Sequence, residues 1–87
     1  MKITIFQLKS NPEIGFSIQE DFENKWDSKL QESIKTKNKI YQLFIDEYEG
    51  GEAYLTDWDH IDEFKSFDDA FNYILENYGE VEKMAVY

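Results

Sequence analysis

Residues 20–37 read EDFENKWDSKLQESIKTK, and the fold turns on how this stretch is read. Phe22, Trp26, Leu30 and Ile34 fall four apart, the spacing of one stripe on a helix. Glu20, Asp21 and Glu23 come early and Lys35 and Lys37 late, the charge order that a helix dipole favours. The stretch is therefore expected to form a first helix.

On its N-terminal side, Ile3, Ile5 and Gln7 alternate with Thr4, Phe6 and Leu8, a β-branched and aromatic pattern that reads as a strand. Asn11-Pro12 breaks it, and Ile14, Phe16 and Ile18 alternate again, so a short strand hairpinned to the first is expected there. On the C-terminal side, residues 39–48 (KIYQLFIDEY) give the strongest strand signal, followed by Gly50-Gly51 and a second strand, AYLTDWD. A tight turn at the two glycines would pair Tyr48 with Ala53, Asp46 with Leu55, Ile45 with Thr56 and Leu43 with Trp58. Tyr41, Leu43 and Ile45 then share one face and Ile40 and Phe44 the other, so both faces are substantially apolar.

Ser66, with Asp69 three residues on, resembles a capping box. Phe67, Ala70, Phe71, Ile74, Leu75 and Tyr78 follow as a helical stripe that ends at Gly79. The tail VEKMAVY reads as a last strand. The expected fold is a single α+β domain over residues 1–87. Its antiparallel sheet of four to five strands carries two helices on one face in the order β(β)αββαβ, ferredoxin-like or similar.

Seven Phe, six Tyr and two Trp give 87 residues the means to build a core, since a buried aromatic hides about 150–250 Å². There is no cysteine, so disulfides and thiolate metal sites are excluded. The apolar run near the start, Ile3 to Phe6, is far short of a signal-peptide core or a membrane span, and a cytoplasmic protein without membrane contact is expected. The charge is uneven. Thirteen of nineteen carboxylates lie between Asp46 and Glu82, where Lys65 is the one basic residue, and the net charge is −10. All nine basic residues are lysines, so the guanidinium fork that grips phosphate is missing and direct nucleic-acid binding is not expected.

Asp57, Asp59, His60, Asp62 and Glu63 surround the single histidine with hard oxygen ligands. The spacing D-x-D-x-x-D puts Asp62 where a calcium loop needs glycine, and a solvated loop between the hairpin and the second helix outweighs a metal site. No cofactor is expected. The five serines have one histidine among them as a base and no G-x-S-x-G elbow, and Gly50-Gly51 has acids on both sides that would repel phosphate. Catalysis is not expected.

What remains is the acidic stretch. Asp46, Glu47, Glu49 and Glu52 cluster at the hairpin end, Asp57, Asp59, Asp62 and Glu63 follow, and Asp69 and Glu76 flank Tyr73 away from the apolar stripe of the second helix. Together they would form a negative band steering a basic partner, with Tyr73 as an exposed aromatic contact. The plain alternative is a surface that is acidic for solubility.

In size, acidity, lack of cysteine and the interleaved aromatics of residues 41–82, the chain resembles the small acidic inhibitors that phages and other mobile elements use against restriction or CRISPR nucleases. That resemblance implies a stoichiometric, non-enzymatic anti-CRISPR or anti-restriction protein that mimics nucleic acid. Its partner would be a basic nuclease or nucleic-acid-binding protein whose groove it blocks. An immunity protein or antitoxin against a basic toxin, and a structural or adaptor domain, are the alternative readings. Two apolar sheet faces permit a homodimer, which the charge of −10 on each chain opposes.

Overall fold

The computed structural model describes residues 2–47 and 59–87, and of Glu47 the backbone only. Its elements are β1 (Ile3–Leu8), β2 (Ile14–Asp27), β3 (Glu32–Glu47), β4 (Asp59–Phe64), α1 (Phe67–Asn77) and β5 (Val81–Val86). The five strands form one sheet in the order β4-β3-β2-β1-β5, antiparallel throughout. The fold is α+β, and α1 is the one helix among the described residues.

The expected first helix is instead the outer half of a long hairpin. Phe22, Trp26 and Ile34 lie in β2 and β3, and Leu30 lies in the turn between them. A spacing of four is also a multiple of two, so the apolar pattern suits one side of a strand as well as one stripe of a helix. The turn decides between them. Asp27 Oδ1 accepts from the Lys29 N–H at 2.9 Å and the Leu30 N–H at 3.3 Å, and Gln31 takes a left-handed φ of 53°. The charge order that mimicked dipole compensation is cross-strand pairing. Lys35 bridges to Asp21, and Lys39 Nζ lies 3.3 Å from Glu20 Oε1.

With that helix gone, the connectivity is a four-strand meander followed by one crossover, which is not the ferredoxin-like order. β4 and β5 are the two edges of the sheet, so the β4–α1–β5 connection runs from one edge to the other over a single face. The β1–β2 hairpin is formed as expected. Asn11 shapes its turn, with its Oδ1 accepting from the Glu13 N–H at 3.1 Å and its carbonyl from the Ile14 N–H at 3.0 Å.

The strand AYLTDWD and the Gly50-Gly51 turn lie almost wholly outside the described residues, which resume at Asp59. The register on β3 differs from the two-residue-loop expectation: Ile45 pairs with Asp59 and Leu43 with Asp62. Asp59 to Phe64, expected as loop, is the edge strand. The shift brings Ile61 and Phe64 against the core that Leu43 and Tyr41 border, contacts that a strand ending at Asp59 would forgo.

α1 forms as its stripe and cap dictate. Ser66 is the N-cap, its Oγ accepting from the Asp69 N–H at 3.1 Å. At the other end the Tyr78 and Gly79 N–H groups both donate to the Ile74 carbonyl, and Gly79 has a φ of 119° that only glycine takes readily. The helix packs Ala70 and Ile74, both fully buried, onto Phe6, Leu8, Phe16, Ile18 and Leu43 of the sheet. Aromatic contacts surround this centre: Phe6 lies 5.3 Å from Phe71 and Phe16 lies 4.9 Å from Tyr78, centroid to centroid. The Tyr41, Leu43 and Ile45 face is thus the one the helix covers. Leu75, expected in the stripe, is exposed.

Candidate functional site

Register and helix phase place the expected contact residues. Asp59 and Asp62 stand opposite Ile45 and Leu43, on the side of the sheet that carries α1. Both are exposed. On α1, Asp69 and Glu76 are exposed four residues before and three residues after Tyr73, so all three share one side of the helix. The Tyr73 ring lies 5.5 Å from that of Phe64 on β4, which sets this side of the helix against the acidic edge strand. Residues 59–77 carry six carboxylates against Lys65 alone. The two salt bridges among the described residues, Lys35–Asp21 and Lys39–Glu20, both sit on the β2–β3 hairpin, away from this rim.

Several expected members stand elsewhere. Tyr73 is half-buried on the edge of the core, because Phe64 fills the space beside it, and it is not an exposed contact. Asp46 is 8 % exposed and stands opposite Gly15 on the face away from the helix, so it does not belong to the rim. Glu63 lies opposite Gln42 on that same far face. Glu49, Glu52 and Asp57 lie outside the described residues, as does the side chain of Glu47.

The β4 register, irregular opposite the Leu43–Phe44 step where Ile61 is the extra residue, also disperses the acids and histidine that could have made a cation site. Asp59 and Asp62 face one side, while His60 and Glu63, opposite Phe44 and Gln42, face the other. Among the described residues no three His, Asp or Glu side chains are grouped to hold a metal.

The far face has a cluster that the sequence reading missed. Gln42 Nε2 donates to Glu63 Oε1 at 3.1 Å, and Gln42 Oε1 lies 2.6 Å from His60 Nε2, whose ring meets Phe44 edge-on at 5.2 Å. These side chains line an open concavity of about 560 Å³. The signal was present in the strands: Gln19 and Gln42 interrupt apolar runs, and the register pairs them across β2 and β3. The bond from His60 runs to an amide, which orients the ring without activating a nucleophile. The outer β2–β3 hairpin was missed too, with Trp26 61 % and Leu30 60 % exposed.

No protein-family model matches the chain, and comparison with curated proteins and with solved structures returns no significant match. Among the described residues, no helix is long and apolar enough to cross a membrane.

Proposed function

We propose that the chain is a non-enzymatic protein inhibitor whose acidic rim occupies the basic groove of a nuclease or nucleic-acid-binding protein, in the manner of an anti-restriction or anti-CRISPR protein. One observation carries this reading: Asp59 and Asp62 on an edge strand and Asp69 and Glu76 on the adjoining helix are exposed together, with Phe64 and Tyr73 packed between the two elements. Carboxylates on a packed strand and helix are held at fixed spacing, as phosphates are on a duplex. Such a surface raises the association rate with a basic groove and repels nucleic acid itself.

The test is competition. Wild-type protein should displace nucleic acid from its partner stoichiometrically, and the displacement should weaken steeply with salt, as exposed charges are screened beyond about 8 Å at physiological ionic strength. An Asp59→Lys, Asp62→Lys variant that keeps its circular dichroism should lose the effect. Undiminished displacement by that folded variant would remove the rim from the account.

A further inference from the structure

The sheet edge opposite the acidic rim carries a groove of its own, since β4 and β5 are the two edges. It lies over β1, between the start of α1 and β5, and encloses about 490 Å³, a volume in the range of small-ligand clefts. Val81 lies opposite Leu8 towards one end and Val86 opposite Thr4 towards the other. The Thr4 to Leu8 span gives a length of roughly 13 Å at about 3.3 Å per residue. Phe6, Phe67 and Phe71 make the lining between these ends apolar, with Phe67, Phe71 and Val81 half-buried and Val86 exposed.

The charge of the groove is opposite to that of the molecule. Lys2 and Lys83 line it against Asp68 alone, a formal charge of +1 in a chain of −10. Lys83 stands opposite Phe6, which places it on the helix side of the sheet. Neither lysine forms a salt bridge among the described residues, so both ammonium groups are open to a ligand. Thr4 is 3 % exposed and lines the same groove, yet among the described residues its hydroxyl has no hydrogen-bond partner. Polar groups this deep ordinarily have one. An unpartnered hydroxyl at the foot of a slot flanked by two free ammonium groups marks the place of an anionic head.

We infer that the groove binds a straight-chain alkyl monocarboxylate of the fatty-acid type. Its carboxylate accepts from Lys83, Lys2 and the Thr4 hydroxyl, and its chain lies along Phe6 and Phe71 towards Val81. Each feature selects one part of this ligand. The long apolar lining suits an unbranched chain, and a lining charge of +1 suits one negative charge. The −10 of the whole chain works against docking on an anionic membrane surface, so the ligand enters as a dissolved molecule. Rim and groove lie on opposite edges of the sheet, so this site is separate from the capture of a basic partner.

An NMR titration of the full chain with sodium decanoate below its micellar concentration tests the inference. The amides of Thr4, Phe71, Lys83 and Val86 should shift together, with a Kd on the order of 100 µM. Lengthening the chain from octanoate to dodecanoate should tighten binding about threefold for each methylene. Lys83→Gln should weaken binding at least about fivefold with an unchanged circular dichroism spectrum, and Val86→Glu, which sets a carboxylate beside the head, should do the same. Decylammonium is the control for attraction to net charge, because a chain of −10 favours the cation; it should leave these four amides unshifted. No shift at these amides by about 1 mM decanoate overturns the inference, as do equal shifts with decylammonium or undiminished binding by either folded variant.

Discussion

Lys35 bonds to Asp21 across the β2–β3 hairpin, from a position fourteen residues further along the chain. The Lys35 ammonium, with a further hydrogen bond from the Phe22 N–H, holds the Asp21 carboxyl below its ordinary range. The pair sits where the outer half of the β2–β3 hairpin leaves the sheet, so it reports on whether that half is formed.

The Asp21 carboxyl should titrate below the ordinary aspartate range in a carbon-detected NMR titration, and Lys35→Ala should move it back toward that range, the Phe22 N–H still holding part of the shift. Because the folded-state value is the lower one, its contribution to stability is present above the unfolded value and is lost as pH falls through the folded value. The Lys35→Ala variant should therefore lose a small stability increment at neutral pH and none in strong acid.

Phe16 and Trp26 should differ sharply although both are aromatic residues of β2. Phe16 is fully buried between sheet and helix, and Phe16→Ala should cost about 3–5 kcal/mol in urea unfolding. Trp26 is mostly exposed, and Trp26→Ala should change the stability of the monomer by less than about 0.5 kcal/mol. A helix with Trp26 on its inner stripe would reverse that expectation.

The ends of α1 should be separately sensitive. Ser66→Ala removes the acceptor for the Asp69 N–H and should cost about 1 kcal/mol. Gly79→Ala meets no atom within 4 Å of the added carbon, so its cost, about 1 kcal/mol, should come from the φ of 119° alone. Equilibrium unfolding of both variants checks this, and a stabilising Gly79→Ala would contradict the backbone conformation.

α1, β1, β5 and the inner parts of β2 and β3 were legible because their signals had one meaning. Ser66, the 67–74 stripe and Gly79 agree on a helix, and Ile3 to Leu8 agrees on a strand. Residues 20–34 were not legible in this way, since apolar residues four apart satisfy both periods and acids before lysines satisfy both a dipole and a cross-strand ladder. The Asx turn at Asp27 was the discriminating signal, and it depends on one side-chain oxygen. For the rim, acid content was legible in Asp59, Asp62, Asp69 and Glu76, while their grouping required the β4 register. Asp46 and Tyr73 were misplaced because burial depends on which neighbour, Gly15 or Phe64, lies beside them.

The most direct measurement is capture with immobilised wild type and with a folded Asp59→Lys, Asp62→Lys, Asp69→Lys variant at low and moderate salt, followed by a nucleic-acid competition assay on the recovered protein. The account predicts one basic nuclease or nucleic-acid-binding protein, held by the wild type at low salt, released at moderate salt, absent from the variant, and unable to bind nucleic acid while held. A partner retained equally by the folded variant, or one that still binds nucleic acid in the complex, would contradict it.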